Sequence, residues 1–340
     1  MINIDGADGE GGGQVLRTAL SLSMITGYAF QIDNIRAGRE KPGLMRQHLT
    51  AVQAAAAISG AEVSGAVLGS RSLTFAPGPV RAGDYLFAIG TAGSTGLVLQ
   101  TLLPALALAD GPSSLVLEGG THNPHGPCFD FLAEVFLPLV NRMGPTVTAV
   151  LERPGFYPAG GGRVQVAISP CSALRPLDLT DRGDLRDTEG VARVTNLTPD
   201  IAHSELAVAR DKLGWAPDRF RVEVLDPAWG PGNVLLLMAR YEGVTLMSTG
   251  FGERQVPATR LALTAARRLS GMMEGGAAAC PYLADQLLLP LALAGGGRFT
   301  TVRPSRHMLT NCDTIARFLD VSVGIDRQED GRHLVTVYSG

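Results

Sequence analysis

The chain has 340 residues, of which 45% are hydrophobic and 18% are charged, and its formal net charge is −3. This length suits about two domains with a substantial core, and the hydrophobic content excludes a disordered chain. The slight negative charge excludes a protein that coats nucleic acid with a broad basic surface, so any contact with nucleic acid must be local.

Neither long apolar run reaches the ~20 residues of a membrane-spanning helix, because polar residues and prolines interrupt both. The runs lie around 97–109 and 283–294. No basic segment followed by an apolar one occurs near residue 1, so we expect no secretory signal and a cytoplasmic location. The cysteines lack CxxC spacing, which favours reduced thiols over a structural zinc site. They are Cys128, Cys171, Cys280 and Cys312.

Taken in chain order, the sequence repeats one pattern of elements three times: strand, helix, strand, helix and two closing strands. The leading strands are MINID, DYLFAIG and LRPLDLT, and the first helices are QVLRTALSLS from Gln14, QTLLPALALADG from Gln100 and QLLLPLALAGGG from Gln286. The second helices cover about 43–59, 128–143 and 308–319. We therefore predict an α/β protein of three repeated βαβαββ units.

The spacing of the three glutamines indicates an insertion. Gln14 and Gln100 are 86 residues apart, whereas Gln100 and Gln286 are 186 apart, so about 100 residues are extra. The extra segment alternates strands and helices of its own, which predicts a small α/β domain inserted in the third repeat. The predicted inserted domain is 182–276, and the predicted large domain is 1–181 with 277–340. The three repeats of the large domain cover about 1–80, 81–170 and 171–181 plus 277–340.

Two segments near the N-terminus predict an anion site. The segment GADGEGGG at 6–13 comes directly before a helix, where consecutive amides and the helix dipole attract phosphate. The segment RAGREKPGLMRQH adds guanidinium groups, which bind phosphate oxygens in pairs. Its basic members are Arg36, Arg39, Lys41, Arg46 and His48. A flexible turn and a solvated charged loop stay open as alternatives. Glu10, among five glycines, is suited to hold Mg²⁺ between phosphates.

His307 differs in placement from the other histidines. It lies in TVRPSRHMLTN, after a strand and at the start of a helix, with Arg303 and Arg306 nearby in the sequence. An imidazole there is suited to attack phosphorus, because neighbouring cations offset the charge that develops on the phosphate oxygens. On spacing alone, a helix-capping or packing histidine is the alternative.

These segments together resemble the motifs of the RNA 3'-terminal phosphate cyclase family, in the family's order. The matching segments are GADGEGGGQVLRTALSLS, IRAGREKPGLMRQHL, GSTGLVLQTLLPAL, GFYPAGGG, PYLADQLLLPLALAGGG and RPSRHMLTN. The resemblance implies three βαβαββ units, like the C-terminal domain of a translation initiation factor, with an inserted α/β domain. It is weak only over 182–276. Two departures are His122, where Asp or Asn is expected, and Pro154, where the family often has a basic residue.

The resemblance implies an enzyme that uses ATP and a divalent metal, Mg²⁺ or Mn²⁺, to convert an RNA 3'-phosphate to a 2',3'-cyclic phosphodiester. It implies that His307 forms a covalent histidine-AMP intermediate and that Glu10 binds the metal. The implied ATP contacts are Gln100, Tyr282, Leu283, Ala284, Asp285 and Gln286. The residues implied to hold the RNA phosphate or the ATP phosphates are Arg17, Arg36, Arg39 and Gln47.

Three other interpretations stay open. An enolpyruvyl-transferase-like enzyme would have six such units, for which this chain is too short. A non-catalytic cyclase-like protein of ribosome assembly would lack the nucleophile, so His307 and the intact YLADQ segment argue against it. A generic nucleotide-binding module is the third. The physiological RNA, the oligomeric state, the preferred metal, the role of the insert and the activation of 5'-phosphate ends are also open.

Overall fold

Residues 1–124, 126–226 and 228–340 are described by a computed structural model, which contains four four-stranded sheets with helices packed against them. The predicted α/β class is therefore confirmed. Within these ranges, no helix is long and apolar enough to cross a membrane.

The first sheet is formed by the N-terminal part of the chain. Its elements are β1 (Ile2–Asp5), α1 (Gly13–Thr26), β2 (Phe30–Asp33), α2 (Arg46–Ser59), β3 (Glu62–Ser64) and β4 (Leu73–Ala76). The strand order is β1-β2-β4-β3, in which β1 and β2 are parallel and the other pairs antiparallel. Helix α2 begins later than predicted, because Gly43 has a φ of 83° and Met45 is extended.

The second sheet has the same strand order as the first. Its elements are β5 (Asp84–Ala88), α3 (Thr95–Leu106), β6 (Ser113–Gly119), α4 (Phe129–Phe131), a π-helical turn (Leu132–Phe136), α5 (Leu137–Arg142), β7 (Thr146–Arg153) and β8 (Gly162–Ser169). The order is β5-β6-β8-β7, again with one parallel pair at the β5 edge. The single helix predicted over 128–143 is thus interrupted by one wider turn.

A separate sheet follows the short strand β9 (Leu177–Leu179). It comprises β10 (Leu185–Thr195), α6 (Asp200–Leu213), a 3-10 turn (Pro217–Arg219), β11 (Phe220–Val224), β12 (Gly232–Tyr241), β13 (Thr245–Phe251) and α7 (Ala258–Glu274). The strand order is β11-β10-β12-β13. Side chains of α6, α7 and the central strands bury an apolar cluster of their own, distinct from the larger core.

The strand β9 pairs with elements near the C-terminus. These are α8 (Pro281–Leu293), β14 (Gly296–Thr301), α9 (Arg306–Ala316), β15 (Val321–Arg327) and β16 (His333–Ser339). The order β9-β14-β16-β15, with β9 and β14 parallel, repeats that of the first two sheets. Helices α1, α3 and α8 bring their apolar faces into one continuous core, where Leu16, Leu102 and Leu287 are fully buried.

One carboxyl group lies inside the core of the β10–β13 sheet. Glu205 on α6 is fully buried, and Nδ2 of Asn233 donates to its Oε2 at 3.0 Å. Within the described residues its Oε1 has no partner. Burial raises the pKa of Glu205 to about 7, because the carboxylate form loses its hydration.

We predict that this glutamate makes the protein less stable as the pH rises from about 4.5 through 7. The pKa of Glu205 is higher in the folded state than in the unfolded state, so the native state binds more protons between pH 4.5 and about pH 7. The stability that the protonated carboxyl group contributes below this pH range is lost above it. From the two values of 4.5 and about 7, the loss is roughly 3 kcal/mol. Urea unfolding at pH 5 and pH 8 should show this loss in the wild type and not in Glu205→Gln. The exposed Glu253→Gln is the control. An equal pH dependence in Glu205→Gln and the wild type would contradict the assignment.

Candidate functional site

Two glycines leave the N-terminus of α1 open. Gly12 is the N-cap residue and Gly13 begins the helix, and no side chain caps it. A Cβ atom at Gly12 would lie 2.8 Å from Nη2 of Arg39, and one at Gly13 would overlap Nε2 of His48. Glycine therefore allows both side chains to approach the free backbone N–H groups at the positive end of the helix dipole.

Arg17 adds a second guanidinium beside the same helix end. A Cβ atom at Gly13 would lie 3.0 Å from its Nη1. Desolvation by burial lowers the pKa of Arg17 to about 10; the Asp285 carboxylate raises it, and neighbouring Arg36 and Arg39 lower it further. No carboxylate in the described ranges forms an ion pair with Arg17. A half-buried cation without an ion-pair partner favours an anionic ligand.

His48 is a neutral hydrogen-bond donor at this helix end, not a further cation. The backbone N–H of Met45 donates to its Nδ1 at 3.3 Å, so the ring proton lies on Nε2, next to Gly13. Burial lowers the pKa of His48 to about 3, with the charges of Arg17 and Arg36 adding to the effect. The ring is thus suited to donate to a phosphate oxygen without changing its own charge.

Two of the predicted phosphate ligands also hold loops in place. The Nη1 of Arg36 donates to the carbonyls of Lys41 at 2.6 Å and Gly43 at 2.9 Å, and burial lowers its pKa. The Oε1 of Gln47 accepts the backbone N–H of Ser94 at 2.7 Å. Arg36 therefore closes its own loop, and Gln47 ties α2 to the start of α3.

His307 reaches the mouth of the same site from α9. The hydroxyl of Ser305 caps this helix, which places His307 in its first turn. Its Nδ1 lies 3.0 Å from Oε1 of Gln14, and its Nε2 lies 2.9 Å from Oε2 of Glu10. The Nη2 of Arg39 lies 3.6 Å from the same Glu10 oxygen. The side chain is 45% exposed, so a ligand can reach it.

Gln14 connects His307 to a buried carboxyl group. Its Nε2 donates to Oδ1 of Asp285, which leaves Oε1 as the acceptor for Nδ1–H of His307. Nε2 is then the ring position that can lose its proton and offer a lone pair. Burial raises the pKa of Asp285, while the charge of His307 and the bond from Gln14 lower it.

A pocket opens beside Gln14, between α1, α3 and α8, with about 720 Å³ of empty space when the solvent at its mouth is included. Gln14 lies in the first turn of α1, whereas Gln100 and Gln286 lie in the second turns of α3 and α8, and all three line the pocket. The Nε2 of Gln100 donates to Oε1 of Gln286, and Asp285 lies at the same polar end. The deeper wall is apolar, formed by Leu103, Pro104, Phe136, Leu289 and Pro290. An apolar chamber with a few convergent polar groups suits a nucleoside-sized ligand.

The PYLADQ segment lies only partly at this pocket. Tyr282 is 61% exposed, so its ring is free to stack on a base. The side chains of Leu283 and Ala284 are fully buried in the core and do not line the pocket. Since successive helical positions point in different directions, only Asp285 and Gln286 of this run turn toward the chamber.

The unusual His122 belongs to a structural network. Its Nε2 lies 2.8 Å from Oδ2 of Asp130, its Nδ1 lies 2.8 Å from Oγ1 of Thr121, and its ring stacks on Phe156. Asp130 also pairs with Arg193 of β10. Burial raises the pKa of Asp130, but the bonds and charges of His122 and Arg193 outweigh it and lower the value to about 2. These residues join the β5–β8 sheet to the β10–β13 sheet.

The sequence analysis did not predict Gln14, Thr18 or Asn311 as residues of the site. Oγ1 of Thr18 donates to Oδ1 of Asn311 at 2.8 Å, and Nδ2 of Asn311 donates to the carbonyl of Asp285 at 3.1 Å. Gln14 did carry a signal, because it aligns with Gln100 and Gln286 in the repeat. Asn311 carried none, since α9 meets α1 and α8 only in the folded chain.

Comparisons with known proteins agree on one family. A family model described as RNA 3'-terminal phosphate cyclase matches residues 8–325. A protein of Koribacter versatilis named RNA 3'-terminal phosphate cyclase is 53% identical over 330 residues, covering 97% of this chain and 93% of that protein. A protein of the same name from Ralstonia nicotianae is 54% identical, with 97% and 94% covered. Another from Salmonella enteritidis is 48% identical, with 99% and 98% covered.

We predict that His48 stays neutral, protonated on Nε2, from pH 8 down to pH 5. Its folded pKa of about 3 lies below the unfolded value of 6.5, so its contribution to stability is present above pH 6.5 and is lost as the pH falls toward 3. In nitrogen-15 imidazole spectra, the ring whose signals are lost in His48→Gln should not titrate over this range. Arg17→Met should raise its pKa, because a repelling charge is removed. A midpoint near 6.5 for the signals lost in His48→Gln would contradict the burial and the hydrogen bond described for this ring.

Proposed function

The chain belongs to the RNA 3'-terminal phosphate cyclase family of ligase-type RNA-processing enzymes, and we propose that it uses ATP to convert an RNA 3'-phosphate to a 2',3'-cyclic phosphodiester through AMP bound covalently to His307. The observation that carries the proposal is the position of His307. Its ring is held by Gln14 and faces Glu10 at the edge of the cationic end of α1.

In the first step, Nε2 of His307 attacks the α-phosphorus of ATP. The new P–N bond forms as the bond to the β-phosphate oxygen breaks, and pyrophosphate leaves. Oε1 of Gln14 keeps the proton on Nδ1, so the lone pair on Nε2 is directed at the phosphorus. The Glu10 carboxylate lies 2.9 Å from Nε2, so the residue proposed to bind the metal is next to the attacking atom.

Gln100, Asp285 and Gln286 are proposed to bind the adenosine, with Tyr282 stacking on the base. The first three line one pocket beside His307, and the exposed ring of Tyr282 precedes them on the same helix. For Leu283 and Ala284 only backbone contacts are available, because both side chains are buried.

The α1 N-terminus with Arg17, Arg36, Arg39 and Gln47 is proposed to hold the RNA phosphate or the phosphates of ATP. Half-buried guanidinium groups and free backbone amides stabilise a dianionic phosphate more strongly than water does. His48 adds an uncharged donor at the same place.

AMP then passes from His307 to the RNA end. An oxygen of the RNA 3'-phosphate attacks the phosphorus of the adduct, the P–N bond breaks and the electron pair returns to Nε2. The neighbouring 2'-hydroxyl next attacks the RNA phosphorus and loses its proton, and AMP leaves as the ring closes. The phosphoramidate is reactive enough to transfer AMP to a weakly nucleophilic phosphate.

Glu10 is the residue suited to bind a divalent metal. The described residues contain no cluster of three or more metal-ligating side chains. One carboxylate beside a phosphate site fits Mg²⁺ or Mn²⁺ held mostly by phosphate oxygens and water, and does not fit a cage made by protein ligands alone. Such an ion supplies charge neutralisation for the phosphates when bound.

The proposal extends to the domain organisation. Three βαβαββ units, at about 1–80, 81–170 and 171–181 with 277–340, would form a large catalytic domain. The identical strand order of three sheets supports these units. The separate apolar cluster of the β10–β13 sheet supports an inserted domain at 182–276. A cytoplasmic location stays a prediction, to which the four unpaired cysteines lend support.

We predict that His307→Ala abolishes both AMP labelling and cyclisation. The neighbouring arginines are permanently protonated, and His48 is buried with its Nδ1 already accepting a backbone bond. Protein incubated with α-labelled ATP should carry label in an acid-labile, alkali-stable bond in the wild type and in His203→Ala, whose exposed histidine lies on α6. Labelling of His307→Ala at the wild-type rate would show that another residue is the nucleophile.

A second prediction concerns the RNA end. An oligonucleotide with a 3'-phosphate beside a 2'-hydroxyl should be cyclised only when ATP is present. The same end with a 2'-deoxy sugar should stop at the adenylylated stage, because the final step needs the 2'-oxygen, and a 3'-hydroxyl end should accept no AMP. Separation of products from the three oligonucleotides tests this directly. Cyclic product without ATP would indicate a nuclease-like activity, and its absence under all conditions would favour a binding protein.

A further inference from the structure

A tryptophan is held in a fixed position while most of its surface is open to solvent. Trp229 lies in the loop between β11 and β12 and is 71% exposed. Its indole sits directly on the backbone of Gly161, where a Cβ atom would overlap the ring. The guanidinium of Arg153 lies 5.3 Å from the ring centroid, and its Nε donates to the Gly161 carbonyl at 2.6 Å. The ring is thereby preorganised and paired with a cation.

A second exposed aromatic ring projects from the same junction. Tyr157 is 65% exposed and lies in the tight turn closed by the Gly160 N–H and the Phe156 carbonyl. Across the described ranges the other exposed aromatic side chains are Tyr28, Tyr282 and Tyr338. Tyr28 follows the far end of α1, roughly 20 Å from the phosphate site at 1.5 Å per residue. Trp229 and Tyr157 therefore place two exposed aromatic rings on neighbouring loops. Neither ring has a role in the proposed reaction.

The loop beneath Trp229 touches the wall of the phosphate site. A Cβ atom at Gly160 would lie 2.9 Å from the backbone nitrogen of Ala92. Two residues further on, the N–H of Ser94 donates to Gln47. This path is short enough to put the indole within the order of 20 Å of Gln47, which a few nucleotides of single-stranded RNA can span.

We infer that Trp229, Tyr157 and Arg153 form a stacking platform for nucleobases upstream of the RNA 3' end. This inference rests on the proposed function, which requires a single-stranded RNA to leave the phosphate site across the neighbouring surface. Aromatic rings bind bases of any sequence through their faces, and the adjacent guanidinium attracts the phosphate backbone. The platform would bind the chain of the RNA, while the α1 N-terminus binds its terminal phosphate.

Tryptophan fluorescence can test the contact without catalysis. The protein has two tryptophans, and Trp215 packs against Phe220 at 5.9 Å between ring centroids. In Trp215→Phe, all tryptophan emission comes from Trp229. Titration without ATP should give saturable quenching by an eight-nucleotide RNA with a 3'-phosphate. A dinucleotide with the same 3'-phosphate should bind without quenching, because it is too short to reach the ring.

Affinity provides the second readout. Trp229→Ala should raise the Kd of the eight-nucleotide RNA about tenfold, within the range measured for base–aromatic stacking, and leave that of the dinucleotide unchanged. Trp229→Phe should recover most of the loss. Tyr338→Ala, another exposed aromatic side chain, should have no effect. Thermal unfolding checks that each variant is folded.

Three results would overturn the inference. One is an unchanged Kd in Trp229→Ala together with unquenched emission, while the wild type still binds and cyclises the RNA; the proposed function then stands alone. Another is emission that changes with protein concentration in the absence of RNA, which would indicate contact between two copies. The third is a wild type that neither binds nor cyclises the eight-nucleotide RNA, which would remove the proposed function as well.

Discussion

Free backbone amides at the N-terminus of α1 form the positive end of a helix dipole, and the glycines there leave room for cationic side chains beside it, so the whole site is organised around an anion. Arg39 and His48 come from one loop and helix, whereas Arg17 comes from α1 itself. Burial, together with the charges of the neighbouring arginines, has an energetic cost, because it lowers the pKa of Arg17 to about 10 and that of His48 to about 3. A bound phosphate relieves this cost, because its charge compensates the guanidinium groups that repel one another without it.

The Nδ1 atom of His307 is held by an amide rather than by a carboxylate. Oε1 of Gln14 accepts from Nδ1, and the negative charge of Asp285 is placed one group further away. The amide fixes the tautomer of the imidazole at Nδ1, while the carboxylate of Glu10 contacts the ring at Nε2, the nitrogen proposed to attack phosphorus.

Much of the architecture could be predicted from the sequence, because apolar periodicity and turn residues mark each element locally. Most strands and helices occur where these patterns indicated them, with shifts at Gly43 and at the π-helical turn, where backbone geometry decided. Helices α3 and α8 begin at Thr95 and Pro281, earlier than the predicted starts at Gln100 and Gln286. The site was predicted less completely. Arg303 and Arg306, which first suggested a reactive His307, are both exposed, whereas the groups in contact with it are Gln14 and Glu10 at the other end of the chain. A single sequence does not show such long-range contacts, and a motif does not show which of its side chains point inward, as with Leu283 and Ala284.

In the sequence, the β10–β13 sheet lies between β9 and β14, the two strands of one parallel pair, so folding must close a long loop to form that pair. Arg298 of β14 bonds to Asp178 of β9 across a sequence separation of 120 residues. In an unfolded chain, pairing β9 with β14 requires the closure of this long loop, which costs conformational entropy. The few hydrogen bonds of the three-residue strand β9 offset little of that cost. Once the intervening segment has formed its own core, its ends are held and the effective loop is much shorter. The order of assembly is therefore biased: the β10–β13 sheet folds early, and the third sheet, which carries α9 and His307, is completed after it.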